Sequence, residues 1–418
     1  MPYRQIDCCR VCGNTELTLV LDLGAQALTG IFPKRRDQHV TSGPLQLVKC
    51  SETNPADHCG LLQLRHSYNP VEMYGSNYGY RSGLNEAMTR HLQSIVARIR
   101  DRFPLETGDI VLDIGSNDGT LLSGYPAGLR RIGIDPTAEK FREFYPAEVE
   151  LAVDFFSTRA YRSVAGPRKA KVVTSIAMFY DLESPLDFMR DIKEVLADNG
   201  IWVLEQSYMP TMLEQTAYDT VCHEHLEYYG LRQLQWMAER AGFRILDIEL
   251  NDINGGSFQV TLAHANSEQP ARADAVARLL HHEKMRQLDT PAPFREFETR
   301  VRRHREELPA RLHAIAERGQ LVLGYGASTK GNVVLQYCGI AERDLPAIAE
   351  RNPDKYGRFT PGTLIPIISE VDAHARKPDY LMPLPWHFRT EFIRREREFL
   401  NRGGKFLFPL PHIEEVGA

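Results

Sequence analysis

The sequence predicts an α/β protein of three domains: a small N-terminal metal-binding module, a Rossmann-like domain, and a second, C-terminal Rossmann-like α/β domain. Three observations carry this. Four of the seven cysteines crowd into residues 9–59, a strand–glycine turn–strand pattern spans 110–135, and a strand–glycine turn–helix pattern recurs at 320–335. A chain of 418 residues with 43% apolar content can bury two or three separate cores. Lys plus Arg number 50 against 55 for Asp plus Glu, and this balance leaves no basic footprint for nucleic acid. No run of 18 apolar residues and no apolar signal core after "MPYRQIDCCRVCG" is present, so neither a membrane span nor secretion is expected. The expectation is a cytoplasmic protein, monomeric or a small homo-oligomer, with no nucleic-acid or membrane partner.

Residues 1–80 read as the first domain. Cys9 and Cys12 form a C-x2-C pair, and Cys50 and Cys59 follow after a long gap. Four thiolates suit one tetrahedral Zn2+ with no open position, hence a structural site. The glycine in "CCRVCGN" allows a tight turn at the metal, and Cys8 reads as a bystander. "YGYRSG" follows, with Tyr78 and Tyr80 near a neighbouring cleft or in simple packing, and then "NEAMTRHLQSIVARIRDRF", whose apolar spacing is helical.

Residues 81–265 read as the second domain. "IVLDIGSNDGTLL" predicts a strand, a turn at Gly115 and Gly119, and the start of a helix. "RRIGIDP" predicts a second strand closed by Asp135 and Pro136. Glycines let a ligand approach the backbone, and an acid at that strand end can bind both hydroxyls of a ribose. The turn around Asp113, Gly115, Asn117 and Gly119 is not G-x-G-x-x-G, which favours a nucleoside without phosphates, S-adenosylmethionine (SAM), over NAD. Asp154 and Phe155 after a third strand are placed to read an adenine amine and stack on its ring. Ala177 to Tyr180 form the tip of a fourth strand, and "GIWVLEQSYMP" is a fifth. These features predict a class I methyltransferase fold whose ligand lies beyond the carboxyl ends of the strands.

"CHEHLEYY" falls between the fifth strand and the closing helix and strand, so it is expected over the methyl-donor pocket. Histidines two apart do not match a helical zinc pair. An imidazole with a carboxylate beside it suits proton abstraction from carbon, against which stands simple hydrogen bonding within the loop. "NDINGGSFQV" reads as a hairpin with Asn254 and Ser257 toward the acceptor.

Residues 266–418 read as a helical linker and the third domain. Two charged helices broken at "TPAP" precede "QLVLGYGASTKGNVVL", where Lys330, Asn332 and the backbone amides offer a diphosphate or nucleotide anchor. Lys355 and Arg358 bring further positive charge, or form a solvated loop. Two competing readings remain open: an NAD-dependent oxidoreductase using this loop, and a noncatalytic zinc-ribbon scaffold.

Taken together, the cysteine ribbon, "YGYRSG", "LDIGSNDG", "GIDP", "HEHLEYY", "NGGS", "GYGASTKGN" and "DKYGRFTPGTLIPI" resemble the nucleotide-sugar C-methyltransferases of deoxysugar biosynthesis along nearly the whole chain. The resemblance implies a SAM-dependent C-methyltransferase acting on a nucleotide-diphosphate sugar whose C4 is a ketone, methylated at C3 after proton removal. It implies His225 as the base with Glu224 beside it, and Tyr78, Tyr80 or His223 as donors to the developing oxyanion. Where family members carry tyrosine before "HEH" and histidine after the fourth strand, this chain has Cys222 and Asp181. Tyr180 or Asp181 is then expected to contact the acceptor.

Overall fold

A computed structural model describes residues 3–74 and 80–418. Three sheets of four, seven and six strands organise the molecule, with a short pair, Tyr3–Gln5 and His66–Tyr68, beside them. No helix among the described residues is long and apolar enough to cross a membrane.

Strands Leu17–Ala27, Ser42–Cys50 and Leu62–Leu64 form an antiparallel sheet in the N-terminal segment. Gly43, Leu45 and Leu47 face inward in alternation with Pro44 and Gln46, the period of two that a half-buried strand requires. The fourth strand of this sheet, Glu227–Tyr228, comes from the segment containing "HEHLEYY".

The central sheet, counted in chain order, reads 3-2-1-4-5-7-6 from one edge. Its first five strands, Ile110–Ile114, Arg130–Ile134, Glu150–Ala152, Ala170–Ile176 and Leu196–Ser207, are mutually parallel. Ser257–His264 runs antiparallel between Leu196–Ser207 and Phe243–Asn251. Ile110–Ile114 is buried along its whole length, as expected of a parallel strand covered on both faces. The order reverses between the first and fourth strands, the switch point at which such sheets open a cleft.

The helix predicted to begin at "GTLL" is reduced to a single 3-10 turn, Leu122–Gly124. Helix Glu86–Arg102, capped by Asn85 Oδ1 on the amides of Ala87 and Met88, lies against that face instead. Its Leu92, Ile95, Val96 and Ile99 pack with Leu121, Leu122 and Tyr125. The face is thus covered from the N-terminal side, and Gly124 and Gly128 stop any extension of the turn.

Helices Ala273–Met285 and Ala292–Glu317 lead to the third sheet. It holds Ile367–Ser369, Ile348–Glu350, Val322–Tyr325, Tyr380–Pro383 and Lys405–Phe408 in parallel and Glu414–Val416 antiparallel at the edge, in order 3-2-1-4-5-6. It is the doubly wound order of dinucleotide-binding sheets.

Candidate active site and metal centre

Cys9, Cys12, Cys50 and Cys59 converge with every Sγ within 4.8 Å of the others. The pairs Cys9–Cys59 and Cys12–Cys50 lie at 3.5 Å. Four sulfurs about 2.3 Å from a zinc ion stand about 3.8 Å apart, so the set fits a tetrahedral ion after minor adjustment. Gly13, at φ 73°, makes the knuckle turn, and its amide donates to the Cys9 carbonyl. Asn14 Nδ2 donates to Cys50 Sγ. Cys8 is exposed and outside the set. Four thiols would fill every position of a tetrahedral ion, so a metal held here would close the module and leave no open position for chemistry.

A cleft of about 300 Å³ opens at the carboxyl ends of the central strands. Asp113, Gly115, Asn117, Asp135, Pro136, Phe155 and Ala177, singled out from the sequence, all line it. Gly119 sits just behind with φ 75°, where an added Cβ would lie 2.6 Å from Tyr145. Asp154 is exposed and does not line the cleft; one of its carboxylate oxygens accepts the Phe155 amide. Asp135 is held by two opposing sets of donors: the Asn117 amide at 2.9 Å, and the Thr137 amide and hydroxyl at 2.6 Å each. Burial pushes the Asp113 carboxyl up to about 7 despite a hydrogen bond from Thr174 Oγ1. Asn117 and Ala177 are non-glycine residues in the left-handed region, at φ 51° and 54°, a strain that clusters at functional sites.

The charge of this cleft tests what it can hold. Its ionisable lining includes Asp113, Asp135, Asp181, Glu183 and Glu205, with no lysine or arginine among its described residues. Carboxylates around a low-dielectric cleft favour a cationic ligand and disfavour a pyrophosphate. A sulfonium fits that sign. At Gly115, φ 71°, an added Cβ would come within 3.2 Å of Met178 Cγ, so the bare backbone is what leaves the cleft its width.

Two features of the cleft, the Ser82 and Gly83 amides and Glu205, escaped the sequence reading. Ser82 and Gly83 donate their amides to Asn117 Oδ1 and Asp118 Oδ2, drawing the 80–85 segment over the cleft. Asn117 Nδ2 in turn donates to the Tyr80 carbonyl, which brings Tyr80 to the rim. Glu205, at the end of the fifth strand, accepts from Asn251 Nδ2 and Gln259 Nε2 and is 2.6 Å from His91 Nε2. The only sequence signal was an acid, "LEQS", ending an apolar strand. Tyr78 lies outside the described residues.

The "HEH" segment, next to the lining residue Leu226 but not itself among the lining residues, separates its two histidines. His223 is fully buried, its ring edge-on to Tyr68 at 4.6 Å between centroids. Its nitrogens face the Gln26 and Gly43 carbonyls without closing a well-formed hydrogen bond, and burial pushes its pKa down to about 4. His225 turns the other way, onto Tyr180 at 4.4 Å. A carbonyl only accepts, so the 2.8 Å contact of His225 Nδ1 with the Thr220 carbonyl places the proton on Nδ1 and the lone pair on Nε2. Burial, helped by the Lys330 charge, pushes its pKa down to about 3 and keeps the ring neutral.

Glu224 Oε1 lies against Gly30, where an added Cβ would stand 2.7 Å away. Burial raises the Glu224 carboxyl, and burial with the neighbouring Glu224 charge raises those of Asp181 and the Cys222 thiol. Asp181 lines the cleft, as do Leu226, whose amide donates to the Tyr180 carbonyl, and Asn254 at φ 55°. Ser257 is buried beneath, its hydroxyl on the Ile253 carbonyl.

The C-terminal glycine loop is largely occupied by the chain itself. Added Cβ atoms at Gly326 and Gly331 would stand 2.9 Å from Pro385 and 2.5 Å from Leu384. Glu350 accepts the amides of Ala327, Arg351 and Asn352. Lys355 Nζ donates to the Ala327 carbonyl and sits over the Phe32 ring, while Asn332 Nδ2 donates to the Thr29 carbonyl. Arg358 is partly buried, and its charge bears on Lys355. Lys330 Nζ reaches away from this loop to the Asn254 carbonyl at 2.9 Å, joining the C-terminal domain to the cleft.

Comparison with known proteins matches this arrangement segment by segment. A zinc-binding domain family matches residues 9–74, a methyltransferase domain family residues 85–248, and a C-methyltransferase C-terminal domain family residues 252–411. The C-methyltransferase NovU of Streptomyces niveus is 30% identical, over 99% of this chain and 98% of that protein. Among solved structures, a SAM-dependent methyltransferase from Clostridium acetobutylicum overlaps 43% of this chain and 92% of its own at TM-score 0.33 and 11% identity. LepI in complex with SAM overlaps 44% and 53% at TM-score 0.33 and 14% identity. With relatedness to NovU spanning the full length and a family matching each of the three segments, this chain belongs to the SAM-dependent C-methyltransferases that carry an N-terminal zinc-binding domain.

Proposed function

We propose that the acceptor is a nucleotide-linked 4-keto sugar, methylated at C3 through an enolate, and that residues 1–80, 81–265 and 266–418 contribute the zinc module, donor site and acceptor-binding domain respectively. The observation that carries this reading is the tautomer of His225. Its Nδ1–H is committed to the Thr220 carbonyl and its ring is neutral, so Nε2 carries a lone pair in the residue next to Leu226, which lines the cleft. A carbon acceptor needs such a base, because carbon becomes nucleophilic only after losing a proton, and a proton beside a ketone is the one a side-chain base can take. Methylation of oxygen or nitrogen has no need of it to the same degree.

SAM supplies an electrophilic methyl group when bound in the acidic cleft. Asp113, Asn117, Asp135, Pro136 and Phe155 hold and orient it, and Gly115, Gly119 and Ala177 leave it room. His225 Nε2 withdraws the acceptor proton, with Glu224 beside it fixed against Gly30. Tyr180 packs on the base, and Asp181, Cys222, Asn254 and Ser257 shape the acceptor site. Tyr80, at the rim, is assigned as a donor to the developing oxyanion. The C-terminal domain, with Asn332, Lys355 and Arg358 near its glycine loop, is assigned to the nucleotide end. The choice of a sugar rests on the sequence resemblance together with this two-domain division.

The test is turnover with methyl-labelled SAM and a panel of nucleoside-diphosphate 4-keto-6-deoxyhexoses, with the product located by NMR. A new methyl group on the carbon beside the ketone is expected. A methyl group found on oxygen, or ketosugars inert where another carbon acid turns over, overturns the substrate assignment.

A further inference from the structure

We propose that Lys330, from the C-terminal domain, is the cation that stabilises the enolate oxygen, making that domain part of the catalytic machinery and not only a nucleotide holder. The inference rests on the ketosugar reading above and deepens it. Lys330 stands in the first turn of helix Thr329–Cys338, which packs on the Tyr218–Thr220 turn whose Thr220 carbonyl orients His225. Its Nζ spends one N–H on the carbonyl of Asn254, a cleft residue held in the left-handed region. An ammonium has three donors, so two remain.

What surrounds this ammonium makes it unusual. The Asp219 carboxylate bears on it but accepts a 2.8 Å hydrogen bond from Trp386 Nε1, and no carboxylate contacts Lys330 directly among the described residues. Its charge reaches His225 and His387, both kept neutral by burial. Burial disfavours the charge on this partly buried lysine and the nearby Asp219 carboxylate only partly offsets that, so an anion that joins it during function is favoured. Among the described residues no cleft carboxylate pairs with Lys330, whereas the oxyanion that forms on the carbon next to the one His225 deprotonates is an anion it can meet.

The step balances as follows. His225 Nε2 takes the proton from the carbon beside the ketone, the C–H pair forms the C=C bond, and the carbonyl π pair moves to oxygen, where the Lys330 N–H groups meet it. As that carbon bonds to the methyl group, the C–S pair leaves with sulfur, the carbonyl re-forms, and His225 later releases its proton to water.

The experiment uses the full chain loaded with S-adenosylhomocysteine, a thymidine-diphosphate 4-keto-6-deoxyhexose in D2O, and thymidine diphosphate alone as a binding probe. Wild type is expected to exchange the proton beside the ketone. Lys330→Met should slow exchange at saturating sugar by about 100-fold or more while leaving thymidine diphosphate affinity within about twofold. Lys330→Arg should restore most of the rate. Lys330 is only partly buried and makes no direct ion pair among the described residues, so Lys330→Met should change Tm little, and loss of exchange at unchanged Tm cannot come from unfolding. Loss of nucleotide affinity with exchange unchanged at saturation overturns the proposal and makes Lys330 a diphosphate anchor. A Lys330→Met chain that no longer folds, joined to an inactive Lys330→Arg that folds, also overturns it. No exchange in wild type with any ketosugar overturns the substrate reading itself, and this inference with it.

Discussion

His223 and His225 are two positions apart, yet the chain between them turns so that one ring packs on Tyr68 and the other on Tyr180. His223 has its pKa pushed down to about 4 by burial, against about 6.5 unfolded. The unfolded chain therefore binds more protons between those values, and stability present above about pH 6.5 is lost as pH falls toward 4. His223→Phe, which keeps the contact with Tyr68, should remove part of that loss; urea melts at pH 7 and pH 5 measure it, and an unchanged difference between the two would refute the role. Asp113 acts in the opposite sense, its carboxyl raised to about 7, so its contribution is fully present below about 3.8 and fades as pH rises to 7. His223→Phe and Asp113→Asn, compared in one background, separate these slopes. Gly30→Ala is a second residue-scale test: a Cβ 2.7 Å from Glu224 Oε1 should displace that carboxylate and lower kcat about tenfold or more, with S-adenosylhomocysteine affinity unchanged by calorimetry. The sequence showed the glycines and acids of the donor turn because such residues announce themselves. It did not show that Asn117, Ala177 and Asn254 would carry positive φ, since nothing in an asparagine or alanine marks strain imposed by its neighbours. Nor did it distinguish the two imidazoles, which depend on contacts with Gln26, Gly43 and Thr220 far apart in the chain.

At the scale of elements, the strand Glu227–Tyr228 links the metal to the base. It is the edge of the zinc module's sheet and begins two residues after His225, so order in that sheet fixes where the "HEH" segment sits. Removing zinc should lower Tm and reduce activity in step with loss of the N-terminal sheet, both returning when zinc is restored. Immediate loss of activity with Tm unchanged would instead make the metal a participant in the chemistry. The alternating pattern of Ser42–Cys50 and the strand–turn–strand of "IVLDIGSNDG" and "RRIGIDP" were legible because each follows from local periodicity. The two-residue strand was not, because it pairs with Leu62–Leu64 some 160 positions earlier and has no pattern of its own. The missing crossover helix after "GTLL" has the same origin: helix Glu86–Arg102 covers the space, and only packing decides between them.

For the whole molecule, the two Rossmann-like sheets differ in electrostatics, with an acidic cleft on one and Lys330 with Lys355 on the other. Sheet order 3-2-1-4-5-6 invites a dinucleotide in the C-terminal domain, but Pro385, Leu384, Glu350 and Phe32 fill or tie down the glycine loop. NADH should therefore show no energy transfer from the protein's tryptophans at concentrations where S-adenosylhomocysteine saturates; tight NADH binding would reopen the oxidoreductase reading. The two glycine loops look alike in sequence because glycine serves close approach in both, to a ligand in one and to the chain's own Leu384 and Pro385 in the other. The proposed chemistry centres on the Nε2 lone pair of His225. The most direct measurement of that claim is proton exchange in D2O at the carbon beside the ketone of a nucleotide-linked 4-keto sugar, with S-adenosylhomocysteine bound, in wild type and in His225→Ala. The account predicts exchange in wild type, and in His225→Ala a loss of about 100-fold or more with S-adenosylhomocysteine affinity intact; exchange by His225→Ala at the wild-type rate would contradict it.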